Sequence, residues 1–197
     1  MMLLVLALAA GQATPVQRAE PVVYRLTAGT RLDVTTGKAG LLGFAGHSHL
    51  IRARTFSGRV IHVPDDPGRS SVEITVQAAG LEVLTPPDTQ EIRKVTADMR
   101  SKVLDVERHP EITFVSTRVS GTPDGLHIVG ALSIVGRTVE VPMDVRLTVR
   151  SDTLFATAQF SVKQTAFGIR PYRGGPAGTV RVADRVRFDI AVVAVRE

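Results

Sequence analysis

The chain contains no cysteine among its 197 residues. Disulfide bonds and thiolate metal ligands are therefore excluded, and cysteine usage says nothing about the redox compartment. Tryptophan is also absent, and aromatic residues make up only 5% of the chain. The side chains that fill a core must then be mostly Val, Ile, Leu and Ala. A closed sheet lined by such modest side chains would keep space inside it.

The signatures of several protein classes are missing as well. The sequence has no G-x-S-x-G or H-E-x-x-H motif and no phosphate-binding glycine motif before a helix, and its acidic residues are scattered. We therefore expect a protein that is not an enzyme. The net charge of +5 favours anionic partners in general. Lys and Arg form no block and do not alternate with aromatic residues, so we expect no binding to nucleic acid.

The first ten residues, MMLLVLALAA, are uniformly apolar. This run is too short to cross a bilayer, which takes about 20 residues, and it is typical of a secretory signal peptide. No Lys or Arg precedes it, and a buried N-terminal strand is the alternative interpretation. We predict that residues 1–20 are a signal peptide and that the protein is periplasmic or secreted.

Alternating apolar and polar residues indicate strands along most of the remaining chain. The predicted strands cover about 22–26, 30–36, 47–54, 57–63, 71–84, 111–119, 126–135, 139–150, 153–163 and 179–195. Short turns rich in Gly, Pro and Asp separate most of them, and no internal repeat or linker is present. We predict a single, mainly β domain over residues 22–197. Its strands should close into an antiparallel barrel, since closure removes exposed strand edges.

One segment, about 88–104, follows a helical pattern instead. Asp88 and Glu91 form a start similar to a capping box. The apolar residues recur at intervals of three and four, which places them on one stripe of an amphipathic helix: Ile92, Val95, Met99 and Val103. We expect this stripe to pack on the barrel and the helix to cover one of its openings.

Four stretches, in order, resemble the YceI-like family of lipocalin-like, polyisoprenoid-binding proteins. Residues 104–114 (LDVERHPEITF) resemble the family's FDVEKYPTITF signature. Residues 64–72, 130–141 and 162–169 resemble its DPxDPxxSSV turn, its GxLTIxGxTxxV hairpin and its RxDFGI segment. The resemblance covers about 24–195. It implies a lipocalin-like antiparallel barrel with an apolar tunnel and a helix beside it, in which a long isoprenoid or another amphiphile binds without catalysis.

The tunnel wall is the first candidate site, and plain core packing in a filled barrel is its alternative. Residues that alternation or the helical stripe directs inward are the candidates for contact with the ligand. The predicted lining residues are Phe44, Val60, Ile74, Val76, Met99, Phe114, Ile134, Val145, Leu147, Phe160 and Phe188.

Three histidines form the second candidate site. His47 and His49 lie two residues apart on a predicted strand and so point the same way. If the strands over 47–54 and 57–63 pair as a hairpin, His49 falls opposite His62. Three imidazoles on one face could hold Zn²⁺ or Cu²⁺. A metal-binding protein with metallo-activity is therefore an alternative function, and a polar patch near a barrel end is the simpler interpretation.

The third candidate site lies in the glycine-rich segment 165–178, which we predict to be a turn and a loop. Arg170, Tyr172 and Arg173 are the candidates for contact with a lipid head group. Two guanidinium groups beside flexible glycines could bind an anionic head such as pyrophosphate in a bidentate way. A solvated loop is the alternative.

The prediction is thus a non-catalytic carrier of an isoprenoid or similar amphiphilic lipid. No cofactor is expected apart from a bound isoprenoid or quinone-like lipid. An accessory module with a filled barrel and a protein partner is a further alternative. Carriage of a membrane lipid implies transient membrane contact, and the oligomeric state, a dimer included, stays open.

Overall fold

Eight antiparallel strands close into a barrel in the computed structural model, which describes residues 20–39, 48–85, 89–122, 124–174 and 180–197. The predicted fold class, a mainly β barrel with one helical segment, is confirmed. The predicted signal peptide lies outside the described residues except for Glu20. No helix within the described ranges has the length and apolar character needed to cross a bilayer.

The regular elements follow the predicted order along the chain. Helix α1 (Thr89–Asp98) continues into a π-helical turn, Met99–Val103. The strands are β1 (Val22–Leu26), β2 (Arg31–Ala39), β3 (Leu50–Ala53), β4 (Phe56–His62), β5 (Ser71–Gln77), β6 (Leu81–Val83), β7 (Glu111–Thr122), β8 (Gly125–Ile134), β9 (Arg137–Arg150), β10 (Thr153–Lys163), β11 (Arg173–Gly174) and β12 (Val180–Arg196).

Three of the barrel strands are bent and are therefore divided into two segments each. β1 and β2 both pair with β12, β3 leads into β4, and β5 leads into β6. Going around the barrel, β4 lies next to β1 and β3 lies next to β2. The remaining wall follows the order β5, β7, β8, β9, β10 and β12, and β12 closes the barrel by pairing with β1.

The predicted hairpin between 47–54 and 57–63 is wrong. β3 pairs with β2 and β6, whereas β4 pairs with β1 and β5, so the chain bends between them instead of reversing. Residues 50–62 run antiparallel to residues 71–83 as one bent ribbon. Phe56 lies opposite Val76 on one side of the bend.

The bend is held by backbone hydrogen bonds between the two halves of this ribbon. Arg54 N–H donates to Gly80 O at 3.0 Å, and Gln77 N–H donates to Thr55 O at 3.0 Å. A Cβ at Gly80 would lie 2.8 Å from the Thr55 side chain, so this approach requires glycine. The short 3-10 turn Ala78–Gly80 adds the residues that shift the register between the two halves.

The helical segment continues the wall where β6 does not meet β7. Met99 and Leu104 are buried in the main hydrophobic core, and Val95 and Val103 pack against it. Val95, Met99 and Val103 of the predicted apolar stripe therefore pack against the core of the barrel. The segment after it turns at Asp105, whose carbonyl accepts the N–H groups of Arg108 and His109, and leads into β7.

The segment after β10 is more ordered than the predicted loop. A 3-10 helix, Gln164–Phe167, follows β10 directly and ends at Gly168, which has the left-handed φ of 75°. Phe167 is 1% exposed, and Ile169 is also buried. β11 then pairs with β12. Two apolar side chains thus anchor the first half of a segment in which the sequence shows mainly glycine and proline.

Candidate functional site: an apolar cavity inside the barrel

The barrel encloses a cavity of about 250 Å³. The inward face of each barrel strand contributes to its wall, as period-two alternation requires. On β10, for example, every second residue from Leu154 to Val162 lines the cavity, whereas Phe155, Gln159 and Ser161 are exposed. An apolar cavity of about 150 Å³ in another protein stays dry and admits benzene, so this one has room for a larger apolar group.

The predicted lining residues lie where the sequence placed them, as far as they are described. Phe44 lies outside the described residues. The other ten line the cavity: Val60, Ile74, Val76, Met99, Phe114, Ile134, Val145, Leu147, Phe160 and Phe188. Their contact with a ligand stays a prediction.

Several lining residues were missed by the sequence reasoning. Phe167 and Ile169 lie in the segment predicted as a turn and a loop, and Leu104 lies at the end of the predicted helix, outside its predicted apolar stripe. The signal for Phe167 was its position within the stretch that resembles the RxDFGI segment. Leu32 and Val34, on β2, also line the cavity.

Two aromatic contacts shape the interior. The rings of Phe160 and Phe188, on adjacent strands, are stacked with centroids 4.7 Å apart and an interplanar angle of 9°. The ring of Phe114 lies directly over Gly130 on the neighbouring strand, in the space that a Cβ at Gly130 would occupy. A glycine at this position therefore allows a large aromatic side chain to lie flat against the wall.

The cavity wall carries few polar residues. No Asp, Glu, Lys or Arg of the described ranges lines it. The polar residues that contribute to it are Thr36, His62, Ser70, Ser71, Thr113, Thr157 and Gln164. A ligand inside this wall exchanges water for almost wholly apolar surroundings.

The structure does not place His49 opposite His62, because β3 and β4 do not pair with each other. His47 lies outside the described residues. His49 precedes β3, and its Nδ1 lies 2.9 Å from the carbonyl oxygen of Thr85. His62 ends β4 opposite Val22 and lines the cavity. No group of three His, Asp or Glu suited to a metal ion exists among the residues with described positions.

Partial burial changes the pKa of His62. Desolvation lowers the pKa of its imidazole below the ordinary value of 6.5. The charged form is disfavoured because the surroundings are apolar. The neutral imidazole therefore predominates at neutral pH.

Arg170 and Tyr172, two of the three predicted head-group residues, do not line the cavity. Arg170 is exposed, and Tyr172 is 48% exposed. The backbone of Arg173 pairs with that of Arg181 on β12, and the side chain of Arg173 lies outside the described part. Neither Arg170 nor Tyr172 lines the cavity, although Ile169, next in the chain, does.

The model of the YceI-like domain family matches residues 30–194. The chain belongs to the YceI-like family. The match covers all strands from β2 to β11 and β12 except its last two residues, and it leaves out β1. The predicted family is therefore confirmed over every residue that lines the cavity. No curated protein matches the sequence.

Solved structures of other YceI-like and related proteins share this fold at low sequence identity. The chain is similar to Burkholderia cenocepacia BcnA, with 20% identity and a TM-score of 0.65 over 83% of this chain and 96% of that one. It is also similar to a polyisoprenoid binding domain from Saccharophagus degradans implicated in plant cell wall breakdown, with 10% identity and a TM-score of 0.61 over 90% and 100%. A Campylobacter jejuni YCEI protein gives 12% identity and a TM-score of 0.58 over 75% and 84%.

Proposed function

We propose that this YceI-like protein binds a long-chain isoprenoid or a similar amphiphilic lipid in its cavity and carries it without chemical change. The observation that supports the proposal most strongly is the cavity itself, which has a volume of about 250 Å³ and no charged residue of the described ranges in its wall. An apolar chain is the class of ligand that such a wall accepts.

The energetics favour a lipid over water as the occupant. A buried water needs two to four polar partners, and an apolar wall supplies few. An alkyl or prenyl chain gains about 0.8 kcal/mol for each methylene group removed from water. The wall needs no specific polar contact to obtain this gain, so the affinity should grow with chain length until the cavity is full.

The comparison with known structures supports the same class of ligand. One protein of the same fold, from Saccharophagus degradans, is described as a polyisoprenoid binding domain. At 10% identity this likeness shows the fold alone. The ligand class is therefore our proposal for this chain, and it rests on the chain's own cavity.

The proposal includes no catalytic step. Among the residues that line the cavity, His62 is the one with an imidazole, and no carboxylate of the described ranges joins it there. Paired acid and base groups are what hydrolysis and proton transfer require. The apolar N-terminal run supports a periplasmic or secreted location, and loading from a membrane would need transient membrane contact.

Extraction of the purified protein tests the proposal. The protein is purified from its native host without detergent, extracted with organic solvent, and the extract is analysed by mass spectrometry. We expect an isoprenoid or a related amphiphile in an amount close to one per chain. An extract free of lipid from protein that is folded would contradict the proposal and favour an accessory module with a filled barrel.

A further inference from the structure

Three polar residues of the cavity wall, His62, Ser70 and Ser71, lie together at one end of the barrel. β4 ends at His62 and β5 begins at Ser71, with Ile61 opposite Ser71. Continuing this register by one residue brings His62 opposite Ser70. Both residues line the cavity, as does Val60, which precedes His62 by two positions on the same face of β4. His62 and Ser70 therefore lie opposite each other at this end of a cavity whose wall is mostly apolar.

Three of the polar side chains of the wall, those of Thr36, Ser70 and Gln164, are already bonded to the backbone. The bonds are His49 N–H to Thr36 Oγ1 at 3.1 Å, Val63 N–H to Ser70 Oγ at 2.9 Å, and Gln164 Nε2 to Ala183 O at 2.8 Å. In the Ser70 bond the oxygen accepts, which leaves the hydroxyl hydrogen available for donation.

The imidazole of His62, in contrast, has no hydrogen-bond partner within the described part of the chain. Every fully buried side-chain nitrogen or oxygen in that part of the chain has a hydrogen-bond partner. The ring nitrogens of His62 therefore reach accessible space. The alternation of β4 directs this side chain to the cavity side, and a polar group that enters the cavity can meet it.

The chemistry of this pair suits an uncharged oxygen. A neutral imidazole offers one N–H donor and one acceptor nitrogen, and Ser70 adds an O–H donor. A hydroxyl or carbonyl oxygen can use these groups directly. A pyrophosphate would lose its hydration here without a cation to replace it, because no Lys or Arg of the described ranges lines the wall.

We propose that His62 and Ser70 bind the polar head of the lipid, and that this head is a neutral alcohol, phenol or carbonyl oxygen. The inference rests on the proposed function, since it names the head group of the lipid that occupies the cavity. The head-group site proposed here lies where β4 ends and β5 begins, beside the turn over residues 63–70. It differs from the site predicted from the sequence at Arg170, Tyr172 and Arg173.

Three probes with the same prenyl chain test the proposal: geranylgeraniol, geranylgeranyl pyrophosphate, and the corresponding hydrocarbon without the hydroxyl. Their affinities are measured by displacement of the neutral fluorescent dye N-phenylnaphthylamine from delipidated protein. We expect the alcohol to bind the wild type about three- to tenfold more tightly than the hydrocarbon, as a net hydrogen bond predicts.

Two substitutions at the site and one control complete the test. His62→Leu should abolish the preference for the alcohol and leave hydrocarbon binding intact, and His62→Gln should retain part of the preference. The control is His127→Leu, because His127 lies on the outer face with its Nδ1 2.8 Å from Asp144 Oδ1. It should leave all three affinities unchanged, and thermal unfolding of each variant checks its folding.

The outcomes separate this proposal from the proposed function. If alcohol and hydrocarbon bind equally, and His62→Leu and His62→Gln change neither, the head-group site is wrong while lipid binding stands. If the pyrophosphate binds most tightly, the neutral head is wrong. If the wild type binds none of the three probes, the proposed function fails together with this inference.

Discussion

The guanidinium group of Arg100 donates two hydrogen bonds to the carbonyl oxygen of Leu81, from Nε at 3.1 Å and from Nη2 at 2.7 Å. Leu81 begins β6, and the helical segment lies along this strand. Thr96 Oγ1 accepts a third bond from the N–H of Val83. Side chains of the helical segment therefore satisfy backbone groups of β6 that a neighbouring strand would otherwise satisfy. The helix is in this sense a part of the barrel wall.

Loss of the Arg100 side chain should loosen this part of the wall. We predict that Arg100→Met lowers the free energy of unfolding by about 1–3 kcal/mol, because a charged donor is removed from a partly buried carbonyl. Chemical denaturation measures the change. The matched control is Arg93→Met on the exposed face of α1, which should change stability by less than about 0.5 kcal/mol. Equal effects of the two substitutions would contradict this role of Arg100.

Because the ring of Phe114 lies against Gly130, even a substitution of Gly130 by alanine should destabilise the fold. We predict that Gly130→Ala lowers the free energy of unfolding by about 1–3 kcal/mol, since the added methyl group displaces the Phe114 ring. Gly121→Ala, on β7, is the control, because its Cβ would meet Pro67 at an ordinary 3.5 Å. Thermal unfolding compares the two. Combining Gly130→Ala with Phe114→Leu should restore part of the loss, and failure to do so would exclude the ring as its cause.

The ion pair between Asp33 on β2 and Arg52 on β3 should contribute more to the stability of the fold than a similar, more exposed pair nearby. Asp33 is 8% exposed and accepts Arg52 Nε and Nη2, each at 2.7 Å, and the carboxylate raises the pKa of the Arg52 guanidinium. A double-mutant cycle with Asp33→Asn and Arg52→Met should give a coupling energy of about 1–3 kcal/mol.

The exposed pair of Arg54 and Glu82, at 2.6 Å, is the internal comparison for that cycle. A cycle on it should give less than about 1 kcal/mol, because water screens the interaction. The two cycles use the same denaturation experiment. Coupling energies of equal size would show that burial of Asp33 adds nothing to the pair.

His62 should make stability depend on pH in a defined direction. Its pKa is lowered in the folded state below the ordinary 6.5, so the unfolded chain binds more protons as the pH falls through this range. The stability that the neutral imidazole of His62 contributes is fully present above about pH 6.5. It is lost as the pH falls from there through the lower pKa of the folded state. We predict that wild type loses stability relative to His62→Gln as the pH decreases from 7 to 5. Denaturation curves at several pH values measure the difference, and parallel pH profiles would contradict the prediction.

Much of the cavity could be predicted because period-two alternation is a local property. Val145 and Leu147, or Phe160 and Phe188, point inward in any closed barrel that contains their strands. The helical stripe through Met99 could be predicted for the same reason, since a spacing of three and four residues defines one face. These predictions do not depend on which strands are neighbours.

Which strands become neighbours depends on whether the chain reverses its direction or only bends at each break between two strands. A short break near Thr55 fits both a hairpin and a bend, and the local sequence does not distinguish the two. The contact between Thr55 and Gly80, 25 residues away, holds the bend. The predicted grouping of His49 with His62 failed for this reason. The head-group prediction for Arg170, Tyr172 and Arg173 stays a prediction, although the segment that carries them is anchored by the buried Phe167.

A cavity-blocking substitution tests the central claim most directly. Ala158 is 7% exposed, lines the cavity and lies between Val145 and Ile190 on the neighbouring strands. Ala158→Phe places a ring in the space that the lipid would occupy. Gln159→Phe is the control, because the next residue is exposed and faces outward.

Geranylgeraniol binding to the wild type and to these two variants is the decisive measurement, with thermal unfolding as a check that each variant is folded. We predict binding by the wild type and Gln159→Phe, and an affinity at least about tenfold lower for Ala158→Phe. Unchanged affinity in folded Ala158→Phe, or no binding by the delipidated wild type, would contradict the assignment of the barrel cavity as a lipid site.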